Sequence, residues 1–359
     1  EAFADWIGAK EIMTFGTPPR STVTRVRNAL LHRTLPKGTF RRKRLISTLR
    51  RNGVDVVFAS HLSADRTTGF PTLALIPDFQ HRYFPELFLE EELKERDRVS
   101  QSTAESANLI VVFSDAVKTD FSHFYPAHAP KARTLRPVTF VDPGIYAVDP
   151  GDIRLRYNLP EKFFYLPNQF WMHKNHTAVL EALGVLKSRG IEAHVVATGY
   201  SIDYRNHDYF GDIWSRVARL GVGRMFTYLG LMPAEDVHAL IRQSICVVNP
   251  SLFEGWGLSV DEARSIGKRL LVSDLPAHRE QDPPNTMYVN PRNVQAIADA
   301  MESLWNEAQP GADHEMEAAA REALPGRMKR FADEFVSIAN EGIRGQGSGT
   351  EVRGDEGDG

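Results

Sequence analysis

The chain has 359 residues, 42% of them hydrophobic and 25% charged, with a net charge of -3 and a single cysteine. That length exceeds one typical hydrophobic core and predicts two domains. The balanced charge favours no particular partner, Cys246 alone excludes an intrachain disulfide and fits a reducing compartment, and no apolar run reaches the roughly 18–20 residues that span a bilayer.

The chain begins at Glu1 rather than at an initiator methionine, which reads as truncation at the N-terminus. A short strand is predicted at 11–15, before the turn Gly16-Thr17-Pro18-Pro19. From Arg20 to Arg51 the charges are all basic, with helices predicted over 21–33 and 39–52. This stretch is either a solvated basic face or a surface drawn to anionic lipid headgroups or to a phosphate-bearing acceptor. No aromatic residues alternate with the charges to stack bases, which argues against nucleic acid.

Strands and helices then alternate. Apolar runs predict strands at 54–59, 72–76, 109–113 and near 132–137, with helices at 86–106 and 116–125, the second capped by Ser114-Asp115. Residues 138–161 are rich in proline and glycine and mark a linker or domain boundary. Beyond it, strands are predicted at 163–167, 193–198, 225–229, 244–248, 269–273 and 286–289. Helices are predicted near 175–189, 206–220, 233–243, 258–266, 293–307 and 314–341. The pattern predicts an α/β chain of two doubly wound, Rossmann-like domains facing a cleft: 1–145, incomplete at its start, and 146–341. A glycine-rich tail over 342–359 reads as disordered.

The chemistry concentrates in Asn249-Pro250-Ser251-Leu252-Phe253-Glu254-Gly255-Trp256-Gly257-Leu258-Ser259-Val260-Asp261-Glu262-Ala263. An apolar strand leads in, and a helix with Gly267 as its C-terminal cap leads out. A glycine turn opening into a helix N-terminus suits a phosphate, because the first N–H groups of the helix lack intrahelical partners. Flanking carboxylates suit the hydroxyls of a sugar or ribose.

This stretch resembles the E-x7-E signature of retaining glycosyltransferases of family 4, the "group 1" class. Two others agree with it: Tyr165-Leu166-Pro167-Asn168-Gln169-Phe170-Trp171-Met172-His173-Lys174-Asn175-His176, and Ile76-Pro77-Asp78-Phe79-Gln80-His81 continuing through Phe88. The second of these is similar to an acceptor-domain loop of members that build bacterial surface polysaccharides such as the lipopolysaccharide O-antigen. The resemblance covers roughly residues 50–340. It implies a GT-B fold, a nucleotide diphosphate sugar as donor, a glycan or lipid-linked glycan as acceptor, and no metal or other cofactor. The lone cysteine and the basic stretch predict in turn a cytoplasmic protein, peripheral at the inner face of the plasma membrane.

By the same resemblance Glu262 binds the ribose, Glu254 lies against the donor sugar, and Lys174 neutralises the departing diphosphate. The backbone from Gly255 through Trp256 and Gly257 to Leu258 touches sugar or diphosphate, with Trp256 and Trp171 walling the cleft. Thr198-Gly199 ends a strand at the cleft, and Tyr228-Leu229-Gly230-Leu231 lies near the nucleobase. Ser273 to Glu280, also at a strand end, is a further set of candidates. His173 and His176 are spaced for a metal, but no third ligand lies near them in sequence.

Two positions depart from the family. Asn168 stands where many members have an arginine, and Pro77-Asp78 where many have a His-Asp pair. His81 is therefore either the missing imidazole or a surface histidine. Two rival functions stand beside the transferase: a GT-B nucleotide-sugar epimerase, and a non-catalytic sugar-nucleotide-binding subunit, which Asn168, Pro77 and the lack of a recognisable first strand before Val54 favour.

Overall fold

The structure, a computed structural model, describes residues 46–59 and 69–347. The strand expected at 11–15, nearly all of the Arg20–Arg51 charge, and the tail after residue 347 lie outside the described residues. Residues 46–51 are helical. The first sheet comprises β1 (Val57–Ala59), β2 (Thr72–Leu75), β3 (Leu109–Val112) and β4 (Ala132–Thr134), all parallel and in that order. Its helices are α1 (Gln80–Tyr83), α2 (Glu90–Ser106) and α3 (Asp115–Phe124). Ser114 caps α3 by accepting from the Val117 N–H, as the sequence predicts.

The second sheet has six parallel strands in the order β10-β9-β8-β5-β6-β7. They are β5 (Phe164–Pro167), β6 (Val195–Thr198), β7 (Phe226–Tyr228), β8 (Cys246–Asn249), β9 (Leu270–Ser273) and β10 (Thr286–Val289). Central strands β6, β8 and β9 are buried at every position, which explains their unbroken apolar runs. The helices are α4 (Gly151–Arg156), α5 (His176–Ser188), α6 (Tyr209–Leu220), α7 (Ala234–Gln243), α8 (Leu258–Ile266), α9 (Pro276–Gln281), α10 (Val294–Glu307) and α11 (His314–Gly347). Apolar clusters cover both faces of the sheet: Leu180, Leu183, Ile213 and Met301 on one, and Val141, Ile153, Val260 and Leu240 on the other.

Three expectations need correction. Residues 138–161 lie between the two sheets, as a domain boundary would, but not as a free linker: they hold a 3-10 turn (Pro143–Ala147) and α4, and Val141, Ile153 and Leu159 are buried in the second core. Those apolar residues, spaced among prolines and glycines, outweigh the turn signals. The helix expected from residue 86 starts at Glu90, because Pro85–Leu87 form a separate 3-10 turn after α1.

The last helix continues to Gly347, so residues 342–347 are helical rather than part of a disordered tail. Its C-terminal half is held by the first sheet, where Ile338 joins Leu73, Leu109, Val111 and Leu135, with Phe331 and Phe335 packed alongside. A helix of 34 residues spans roughly 50 Å, long enough to leave one sheet and cover the other.

Candidate active site

β5 lies between β8 and β6, so the chain leaves it in opposite senses on its two sides. At such a switch point the loops after the two strands diverge and leave a crevice at their carboxyl ends. The loop after β5 carries Asn168 to Lys174, and the loop after β8 carries Pro250 to Gly257. Asn175, in the left-handed region at φ 58, binds the loops together by donating to the Pro250 carbonyl at 3.0 Å and the Pro291 carbonyl at 2.9 Å. The Leu252 N–H donates to the His173 carbonyl at 2.7 Å.

That pinning brings Lys174 to Glu254. The ammonium donates to the carboxylate at 2.6 Å, and the Ser251 hydroxyl donates to the same oxygen at 2.6 Å. Both side chains are nearly buried, 14% and 9% exposed. Burial alone would raise the Glu254 carboxyl; the nearby charge of Lys174, with His278 and His173, overcomes it and brings the carboxyl down to about 2. The carboxylate is therefore fully ionised at neutral pH.

The glycines of the turn are there for space and conformation. Gly257 sits at φ +92, a backbone that L side chains rarely adopt. A Cβ on Gly255 would lie 2.3 Å from the Pro77 carbonyl oxygen, so the turn rests directly on the first domain. Among the described residues, no acceptor meets the N–H groups of Gly255, Trp256 and Gly257. The turn thus presents unbonded donors at the start of α8, where the helix dipole is positive.

His278 backs this turn. Its Nδ1 lies 2.8 Å from the Ser273 carbonyl, which can only accept, so Nδ1 carries the proton and Nε2 a lone pair. Nε2, like the Trp256 indole Nε1, is buried without a partner among the described residues. Burial lowers the imidazole's affinity for a second proton. Gln281 donates to the Trp256 carbonyl and fixes the turn from the same side.

The first domain supplies Asp78, which accepts from the Gln80 N–H at 2.9 Å. Burial raises its carboxyl, and the charge of Glu254 adds to the rise. His81 is buried rather than a surface histidine, and its Nε2 is 3.0 Å from Asp97 of α2, which also pairs with Arg82 at 2.9 Å. Glu262, one helical turn into α8, is 3.1 Å from His238 Nε2 and partly exposed. Asn168 is buried and accepts from the Ser259 hydroxyl at 3.3 Å, while its amide nitrogen has no partner among the described residues.

Gly199 follows β6, the neighbour of β5, and Leu231 follows β7. The Gly199 N–H donates to the Gly230 carbonyl at 2.9 Å, and Leu231 and Leu258 are exposed at 66% and 60%. His173 and His176 are both buried, and His176 stacks on Phe170 at 4.1 Å. No group of three or more metal-ligating side chains occurs among the described residues.

One buried pair escapes the sequence reading. Arg205 makes a bidentate pair with Asp203 at 2.8 and 3.0 Å, donates to Gln80 at 3.1 Å, and lies 3.4 Å from His173 Nδ1. Its guanidinium lies over the ring of Phe88, at 5.1 Å, and near those of Trp171 and Tyr204, at 5.6 Å each. Arg205 therefore spans the two domains beside the crevice. Its only sequence signal is position, in a loop that follows the carboxyl end of β6.

Two Rossmann-like parallel sheets facing a cleft, with a C-terminal helix returning to the first, define the GT-B class of fold. Three solved structures share it. A glycosyltransferase from Rickettsia africae matches at 15% identity over 92% of this chain and 85% of its own, with a TM-score of 0.63. The HepE protein of Anabaena in complex with UDP-glucose matches at 17% identity over 90% and 89%, with a TM-score of 0.64. A sucrose-phosphate synthase of Thermosynechococcus elongatus matches at 16% identity over 88% and 79%, with a TM-score of 0.61. Comparison with curated protein sequences gives no match. Residues 154–323, within the second half of the chain, match the family described as glycosyl transferases group 1.

Proposed function

We propose that this chain is a retaining glycosyltransferase of the family 4 type, moving a hexose from a nucleotide diphosphate sugar to a hydroxyl of a glycan or lipid-linked glycan. The observation that carries the reading is the Lys174–Glu254 pair at the switch point, beside the unbonded N–H groups of Gly255 to Gly257. UDP-glucose in the HepE complex supports a nucleotide-sugar donor for the same fold.

In this reading the diphosphate takes the Gly255–Leu258 turn and Lys174, and Glu254 turns to a donor-sugar hydroxyl. Glu262 takes the ribose, and the base lies against Gly199 and Leu231. A departing diphosphate gains negative charge, which a fixed ammonium and a helix N-terminus stabilise without a metal. Asn168 adds a neutral donor where a second cation is absent. Attack occurs on the donor face that the diphosphate leaves, with the phosphate oxygen accepting the acceptor's proton. Asp78 and His81 flank that face from the first domain.

A thermal-shift panel of UDP, GDP, ADP and dTDP sugars tests the donor class: one base should stabilise the protein selectively, and stabilisation by none would refute the reading. Glu254→Gln should then abolish transfer while nucleotide binding persists. Unchanged turnover would remove Glu254 from the chemistry. Membrane attachment through Arg20–Arg51 belongs to the same proposal; among the described residues no helix is long and apolar enough to cross a membrane.

A further inference from the structure

The donor reading leaves unused an aromatic wall where the two domains meet. Tyr83 of α1 keeps 50% of its surface in solvent. Its ring centroid lies 5.4 Å from that of Phe253, with the planes 32° apart. Phe84 stands edge-on to Phe253 at 6.2 Å, and Phe124 edge-on to Tyr83 at 6.2 Å. Phe253 directly precedes Glu254, so the wall begins one residue from the ion-paired carboxylate.

Carboxyl groups border these rings. The Tyr83 hydroxyl donates to Asp120. Asp120 lies on α3 and Asp78 just before α1, both in the first domain, and a Cβ on Gly255, the residue after Glu254, would lie 3.0 Å from the Asp78 Cβ. A pyranose presents an apolar C–H face and a rim of hydroxyl donors. An aromatic face takes the first and carboxylates accept from the second. An alkyl chain would use the rings and leave the carboxylates idle.

We propose that Tyr83, Phe253 and Asp120 form the acceptor subsite, stacking the terminal pyranose of an acceptor glycan and turning one of its hydroxyls toward the space beside Glu254. This rests on the glycosyltransferase reading. The step it serves balances simply: the acceptor oxygen bonds to the anomeric carbon of the donor, the bond from that carbon to the diphosphate oxygen breaks, and the hydroxyl proton leaves with the diphosphate.

The test is saturation-transfer NMR with methyl α-D-glucopyranoside, methyl α-D-mannopyranoside and methyl α-L-rhamnopyranoside, run with and without the stabilising nucleotide. At least one glycoside should show saturation on the ring protons of one face. Tyr83→Ala should weaken that binding by about tenfold or more, the upper range of an aromatic contact, with nucleotide affinity unchanged in calorimetry. Tyr83→Phe should lose less, since it keeps the ring and gives up the bond to Asp120. Phe253→Leu provides a second variant should Tyr83→Ala unfold. Undiminished glycoside signal in both ring variants overturns the proposal, as does a wild type that binds nucleotide but no glycoside. So does dodecyl maltoside bound through its alkyl protons alone. Failure of the wild type to bind any nucleotide would instead count against the glycosyltransferase reading.

Discussion

Replacing Lys174 by methionine keeps the length of the side chain and removes the charge that holds Glu254 ionised. A carboxyl drawn from its ordinary 4.5 to about 2 corresponds to roughly 3 kcal/mol of favourable interaction in the ionised state. The sign follows from the direction. A depressed carboxyl contributes its stability above pH 4.5 and loses it as pH falls toward 2. In Lys174→Met the burial that opposes ionisation goes unopposed by the ammonium, so the Glu254 carboxyl rises instead. The single variant should therefore lose about 3–5 kcal/mol at pH 7, the usual cost of stripping one partner from a buried pair. Its deficit against wild type should shrink as the pH is lowered from 6 to 3.5. Glu254→Gln in the same chain removes the stranded charge, so the double variant should recover about 2 kcal/mol or more. Urea denaturation at pH 7, 5 and 3.5 on the four proteins of the cycle measures all of this. A pH-independent deficit, or a double variant as unstable as the sum of the singles, would refute the account of the pair.

Three further outcomes follow from the geometry. Glu262→Ala should weaken nucleoside diphosphate binding by on the order of tenfold to a hundredfold in calorimetry, as expected for a lost hydrogen bond to a charged group, with the melting temperature little changed. Gly255→Ala pushes a methyl group against the Pro77 carbonyl, a backbone atom of the other domain that a rotamer change cannot move; small-angle scattering should show a larger radius of gyration, and an unchanged radius would contradict the contact. Arg205→Lys keeps the charge but loses the bidentate pair with Asp203 and the planar cation over the rings of Phe88 and Trp171. It should cost about 1–3 kcal/mol in denaturation, and a neutral effect would demote Arg205 to an ornament of the loop.

The second sheet was legible because its central strands are parallel and covered on both faces, so their sequences are unbroken apolar runs such as Cys246 to Val248 and Leu270 to Val272. The crevice was legible because a glycine turn with its carboxylates is a local feature: Glu254 and Gly255 to Leu258 lie on contiguous chain. Contacts across long sequence separations were not. Arg205 meets Gln80 across 125 positions, and Tyr83 meets Phe253 only once both domains are in place. The 138–161 segment misled for a different reason. Its prolines and glycines shape turns, while the apolar side chains between them, Val141, Ile153 and Leu159, decide where the segment lies.

The same contacts that close the cleft also shape the donor turn. The Ser114 hydroxyl accepts from the Val117 N–H to cap α3 and donates to the Gly255 carbonyl at 2.8 Å. Glu280 of α9, two residues after His278, takes the Asp115 N–H at 2.8 Å and pairs with Arg136 at 2.7 Å, completing the N-terminus of α3 from across the domain boundary. A helix start is positive and favours that carboxylate. Opening the cleft would return these groups to water, at a net loss of only about 0.5–1.5 kcal/mol for each hydrogen bond. A handful of such bonds is enough to hold the domains together and small enough for substrate binding to offset. Because Gly255 is bonded through its carbonyl to the first domain, movement of that domain moves the turn whose N–H groups face the crevice. Domain closure and the position of those donors are then one structural variable, not two.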